Sequence, residues 1–291
     1  MIKFIKASFQ IINVIVIVAL LVIHFILKES SYQTSLFYYT FPLPIIIIII
    51  LLFSIFLSKK MRKYNFVIAG LLLIFWLGRS FKINTSEDIE ETNLEVVFWN
   101  ASHDRGFEES FKVNKGIPDV LVLVEMNEND VESLQKKYPN YYFYKSLREI
   151  GVFSKLPLNT IKEKSSKYNT TLIMFETFGV RFCAVDVSAS MDVPRTWELG
   201  FVNSLIKNKE NTIILGDFNV PYESVLLEDI KQDFNHAFSE KGNGFRETWF
   251  WNLPLLSLDH IWVSKDLKVL KTQKISTFKS DHSMIKTFIR K

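Results

Sequence analysis

The stretch Asn211 to Pro221, NTIILGDFNVP, decides how the rest of this chain is read. Ile213 to Leu215 is a short apolar run with the length and residue types of a buried β-strand, and it stops at Gly216, followed by Asp217, Phe218 and Asn219. An acid and an amide two residues apart, with glycine before them and proline after, suit a tight turn that aims both side chains at one reacting atom. Asx-type turns use the same residues for local hydrogen bonds, so the surrounding chain has to choose between the two readings.

Working outward, similar runs recur over residues 94–291: Leu94 to Trp99, Asp119 to Val124, Tyr141 to Tyr144, Ile150 to Ser154, Thr171 to Phe175, Val180 to Val187, Thr212 to Leu215, Leu258 to Val263 and Met284 to Ile289. Each is short and rich in β-branched or aromatic residues, as strands are. Helical patterns fall between some of them. Asn129 to Lys137 ends at Tyr138-Pro139, and Pro194 to Lys207 sets Trp197, Phe201 and Leu205 on one face, with Pro194 at the first helical position and Asp192 as cap. The expected fold is an α/β (α+β) four-layer sandwich, two mixed β-sheets packed face to face with helices outside.

Polar residues gather where these runs end. Asn100 follows LEVVFW, Glu125 follows DVLVLV, Asp186 closes VRFCAV, and Asp217 and Asn219 follow TIIL; Asp259-His260 opens one late strand and Asp281-His282 precedes another. Taken singly, Asn100 reads as a turn, Asp186 and Asp259 as strand-edge solvation, and His260 as a structural histidine. Glu125 resists such a reading, because a carboxylate after an apolar run is costly to bury unless paired, hydrated or bound to a metal. If the strand ends share a rim, the acids, amides and histidine form a hard-oxygen site of the kind Mg²⁺ or Mn²⁺ prefers. No Cys/His set has zinc spacing, and Cys183, the chain's one cysteine, sits in an apolar run that suits a buried thiol.

These segments, VFWN ending at Asn100, PDVLVLVEMN with Glu125, IGVFSKLPL from Ile150, ILGDFNVP, LDHIWVS with Asp259 and His260, and SDHSMI with Asp281 and His282, resemble in order and spacing the endonuclease/exonuclease/phosphatase superfamily. The resemblance covers residues 94–291 and implies in-line hydrolysis of a phosphoester. It implies that Glu125 binds the divalent metal, with Asn100 and Asp281 helping to hold it or its waters. Asp217 would orient or deprotonate the attacking water, and Asn219 would donate to a phosphate oxygen. His282, held by Asp281, would stabilise developing charge, and Asp259 matches a family acid of the same cluster. One position departs: where the family commonly has a histidine, this chain has Asp186, and a carboxylate near phosphate is repelled unless protonated or shared with the metal. His103, after Asn100, is a candidate substitute donor. The implied function is thus a metal-dependent phosphoester hydrolase, with a phospho-ligand-binding or scaffold protein as the reading of a degenerate site.

Residues 1–81 differ in kind. They hold eight Lys/Arg against Glu29 alone, so the chain's net charge of +4 splits into +7 there and −3 over the remainder. A domain without basic excess makes nucleic acid a possible but less favoured partner. Three apolar runs, 9–27, 36–57 and 64–81, read as membrane helices of an anchor, with 82–93 (KINTSEDIEETN) as linker. In the first run, Asn13 and His24 read as helix packing or interfacial residues or as marks of a polar pathway. Lys3 and Lys6 before the first run and the basic cluster between the second and third put the N-terminus inside, so three spans place the larger domain outside the cytoplasm, on a multi-pass inner-membrane protein. Tethering favours a substrate in or near the membrane, such as a phospholipid headgroup or lipid-linked phosphate. The segment Thr248 to Leu256, TWFWNLPLL, reads either as an apolar lip touching lipid or as core or lid packing.

Overall fold

The computed structural model describes residues 2–127, 131–207 and 209–291. Asn129 and Asp130, the expected start of one helix, lie outside the described residues, and that helix is seen over Val131–Lys137. The chain divides into two compact units, Met1–Phe81 and Lys82–Lys291.

In the first unit, Ala7–Leu27 and Lys59–Ser80 are long and apolar enough to cross a membrane. The run 36–57, expected as one helix, is instead two, Tyr32–Thr40 and Leu43–Ser54, bent by 69°. Pro42 and Pro44 account for the break, since neither supplies a backbone N–H and each restricts the residue before it. Counted as one bent span, the pair makes a third crossing. Asn13 and Asn65, both buried, exchange side-chain amide hydrogen bonds at 2.9 and 3.3 Å. Asn13 therefore joins helices, as polar residues in apolar bundles do.

Among the described residues the second unit holds two six-stranded sheets. One runs, edge to edge, through Lys268–Ile275, Met284–Arg290, Leu94–Asn100, Val120–Val124, Gly151–Ser154 and Tyr142–Lys145. The other runs through Phe234–His236, Asp259–Ser264, Thr212–Asp217, Val180–Asp186, Thr171–Thr177 and Asn159–Ser165. Both are mixed, with Leu94–Asn100 parallel to Val120–Val124 in the first and Val180–Asp186 parallel to Thr212–Asp217 in the second. Side chains alternate as the pleat dictates. Val96 and Phe98 enter the cluster shared with Phe182, Ile213, Leu215 and Ile261 of the other sheet, while Val97 and Trp99 face Phe107 and Phe111 of the Phe107–Asn114 helix. Each such fully buried side chain contributes about 1.5–3 kcal/mol relative to exposure.

The expected helix near 194–207 is Arg195–Leu205, with Pro194 at the N-cap position and no side chain capping it. Its buried face is Glu198, Leu199 and Val202, and Trp197 points outward at 57% exposure. The expected face through Trp197 is corrected: aromatic spacing gave the right period and the wrong phase. Residues 82–93, read from composition as a linker, are held to the second unit. The Asn84 amide groups bond Asn243 and Gly242, the Glu87 N–H bonds the Leu270 carbonyl, and the Glu87 carboxylate meets Lys241 and Lys268.

Candidate active site

Strand pairing alone brings the polar strand ends together. The parallel register puts Asn100 beside Val124, one residue before Glu125, and Asp186 beside Asp217. The antiparallel register on the other side of Thr212–Asp217 puts Asp259 beside Asp217. Gly216 makes this close approach: a Cβ there would lie 1.9 Å from the Val185 carbonyl oxygen. Beyond Asp217 the chain turns through buried Phe218, whose N–H bonds the Leu258 carbonyl, to Asn219 at φ 50°. Amides tolerate that left-handed backbone better than most residues.

Asp217 is buried and accepts from the Asn219 N–H at 2.8 Å and from Asn100 Nδ2 at 3.0 Å. His282 Nδ1 lies 2.8 Å from Asp259 Oδ2, and its Nε2 lies 3.9 Å from Asp217 Oδ2. An imidazole thus stands between two carboxylates. Burial pulls His282 down, but the charge and hydrogen bond of Asp259, aided by Asp217 and Asp281, win and lift it to about 10. Burial and the Asp259 charge push Asp217 up to about 7, against the pull of His282 and the two donors. Asn219 gives one amide hydrogen to the Val187 carbonyl at 2.7 Å, and its other meets no acceptor among the described residues.

His282 is therefore held by Asp259, and the expectation that Asp281 holds it is corrected. Asp281 faces elsewhere. Its Oδ2 accepts from Trp249 Nε1 at 2.8 Å and its Oδ1 from Ser102 Oγ. Burial acts to raise its pKa, but these bonds and the His282 charge keep it below the ordinary carboxylate value. Ser102 also donates its N–H to Asn100 Oδ1 at 3.0 Å, and the next N–H, of His103, bonds the Glu125 carbonyl. One short turn thus ties Asn100, Glu125 and Asp281 together. His260 is buried between His236 Nε2 and the Val220 carbonyl, 3.2 and 3.1 Å away, in a structural setting.

His103 reaches Glu125 Oε2 at 3.2 Å and Glu149 Oε2 at 2.8 Å. Glu149 escaped sequence reading, and so did Ser102 and Trp249. Their nearest signal is conformational: Ser102, His103, Glu125 and Glu149 all adopt φ between 48° and 59°, a strained choice for non-glycine residues that concentrates at functional sites. Asp186 completes the rim. Its pKa is raised well above the carboxylate range, first by burial and then by the charges of Asp217, Glu125 and Glu149.

Asp217, Asp259 and His282 offer ligand atoms within 4.8 Å of one another. A protonated His282 has no lone pair for a cation, so the oxygens fit a metal better than this ring does. Among the described residues Asp259 Oδ1 is buried without a hydrogen-bond partner, and Asp186, Asp217, Glu125 and Glu149 lie close enough that burial and mutual repulsion raise the pKa of Asp186 and burial and the Asp259 charge that of Asp217. The site fits a hard divalent cation.

A sequence profile described as the Endonuclease/Exonuclease/phosphatase family matches residues 98–282. Among solved structures, truncated Caenorhabditis elegans TDP2 is similar at 17% identity and TM-score 0.52, covering 70% of this chain and 100% of that one. D. rerio TDP2 complexed with single-strand DNA product gives 14% and 0.52, covering 69% and 100%. An endonuclease/exonuclease/phosphatase from Bacteroides vulgatus gives 16% and 0.53, covering 69% and 99%. At these identities the structures attest the fold. Comparison with curated protein sequences gives no match.

Proposed function

The chain belongs to the endonuclease/exonuclease/phosphatase family, and from that premise we propose that it is a membrane-anchored, divalent-metal-dependent phosphoester hydrolase. The observation that carries this reading is the meeting of Asn100, Asp217, Asp259 and His282 on one buried rim. Asp217, poised near neutrality, takes a proton from water as its oxygen attacks phosphorus and the ester P–O bond breaks. His282, kept cationic by Asp259, stabilises the charge growing on the phosphoryl oxygens, and the spare amide hydrogen of Asn219 donates to one of them. Glu125, Asn100 and Asp281 would hold Mg²⁺ or Mn²⁺, which when bound supplies further charge neutralisation.

The substrate in this reading is a phosphoester in or near the membrane, with a phospholipid or lipid-linked phosphate favoured over nucleic acid by the −3 balance of residues 82–291. The helices Ala7–Leu27 and Lys59–Ser80, with the bent pair between them, form the multi-pass anchor in this reading, and the Lys/Arg asymmetry of its flanks favours residues 82–291 lying outside the cytoplasm. Asp186, where the family commonly has histidine, favours a second reading, an impaired member that binds phospho-ligands or scaffolds a membrane complex. Assay of the full chain on bis-nitrophenyl phosphate, DNA and phospholipid, with Mg²⁺ and with chelator, separates the two. Chelator-sensitive hydrolysis supports the enzyme, and tight binding without turnover supports the second reading. A reporter active only in the cytoplasm, fused after Lys291, tests the orientation.

A further inference from the structure

Beside the catalytic rim, the loop 248–256 shows an apolar surface to solvent. Phe250, Trp251 and Leu253 are 37%, 43% and 55% exposed. Phe278, 81% exposed, sits on the neighbouring loop, which Asn252 joins through bonds to both the N–H and the carbonyl of Thr277. The exposure is built in. Trp249 exchanges backbone hydrogen bonds with Leu256, the Trp251 N–H bonds the Asp281 carbonyl, and Trp249 Nε1 bonds the Asp281 carboxylate. Trp251 and Asn252 take φ of 48° and 65° to make the turn. A rigid, strained loop that keeps two aromatic rings and a leucine out of the core calls for something to cover them.

We propose that this lip seats on the surface of a lipid bilayer and presents an interfacial phosphoester to the strand-end rim. Two observations select that occupant. The same chain carries helices long and apolar enough to cross a membrane. Also, the helix Lys59–Ser80 ends close in sequence to Asn84, which is already bonded into the second unit. The chain from Ser80 to Asn84 reaches at most about 14 Å when extended, so Asn84 stays tethered close to the end of that helix. Phe and Trp suit the depth at which headgroup meets acyl chain, where an apolar ring is welcome and an indole N–H stays satisfied. The presentation of a lipid phosphoester rests on the hydrolase reading; the seating itself does not.

The test uses the full chain in phospholipid vesicles with and without brominated acyl chains. Cys183 is buried, its thiol pushed up to about 12 by burial, so it stays unlabelled. Phe250→Cys, Leu253→Cys and, as a control, fully exposed Leu147→Cys each carry a polarity-sensitive fluorophore. Seating predicts blue-shifted emission and loss of signal to bromine at 250 and 253, and neither at 147. Water-like emission at both lip positions overturns the proposal, as does protection by single-stranded DNA or by self-association in place of quenching. Phe250→Asp with Leu253→Asp adds a second readout: turnover of a vesicle-borne ester falls while turnover of bis-nitrophenyl phosphate is kept. Quenching requires no catalysis, so a silent active site and an unseated lip give different results.

Discussion

His282 Nδ1 donates to Asp259 Oδ2 across 2.8 Å, with both side chains buried. The pair makes a cation that persists through neutral pH, since His282 is lifted to about 10. Asp259→Asn removes the charge and keeps the shape. The expected result is a fall in kcat of about 10²–10⁴ and a drop in the His282 pKa, read by ¹³C-histidine NMR titration. The sign for stability follows from the raised folded value: the pair's contribution is fully present below the unfolded histidine pKa and is lost as pH rises through about 10. Asp259→Ala, leaving a buried imidazolium without its hydrogen-bonded carboxylate, costs about 3–5 kcal/mol near neutrality.

Asp186 works the other way. Its pKa is raised in the folded state, so the fold holds this proton more tightly than the unfolded chain does. Its contribution therefore turns against folding as pH climbs from the unfolded carboxylate value through the raised one. Asp186→Asn is expected to raise the melting temperature at neutral pH, with a smaller gain in Mg²⁺ because a bound cation already relieves the repulsion. Asp186→His reads function: a large gain in turnover marks the natural site as impaired, and a loss shows that the carboxylate has a role of its own.

Gly216 is required by space. A methyl group there would meet the Val185 carbonyl oxygen at 1.9 Å, forcing apart the parallel strands that hold Asp186 beside Asp217. Gly216→Ala is expected to lower stability by about 1–3 kcal/mol or more, read from the urea midpoint, and to lower turnover even where the variant folds.

The interior strands were legible because burial on both faces makes them apolar and a polar residue then marks where each ends, as at Asn100, Glu125 and Asp217. The Asn159–Ser165 strand, NTIKEKS, was not, because it is an edge almost wholly exposed to water and carries no apolar pattern. The bend at Pro42 was written in the sequence but lay inside an apolar run that dominates any hydropathy reading. At the site, residue types at strand ends gave the rim. Which acid pairs His282 depended on side-chain direction, and adjacency in sequence pointed to Asp281 where register across the sheet delivers Asp259. Glu149 comes from a loop whose placement depends on tertiary contacts, and the same contacts aim His103, named from the sequence, at Glu125 and Glu149.

In the proposed site Glu125 joins metal to chemistry. It follows the buried Val120–Val124 strand in a left-handed backbone at φ 49°, with His103 3.2 Å from its Oε2. If Glu125 carries the cation, Glu125→Gln keeps size and a hydrogen-bond acceptor while removing the charge that a hard ion needs. The expected result is a weaker Mg²⁺-induced rise in melting temperature and loss of chelator-sensitive turnover, with the metal-free fold as stable as before. The rise for the natural chain should grow with pH as Asp217 ionises near 7, since protons and cation compete for the same crowded oxygens. Calorimetric titration with Mg²⁺ at pH 6 and pH 8 reads this directly, and an unchanged binding curve for Glu125→Gln would move the metal to the Asp217 and Asp259 side of the rim.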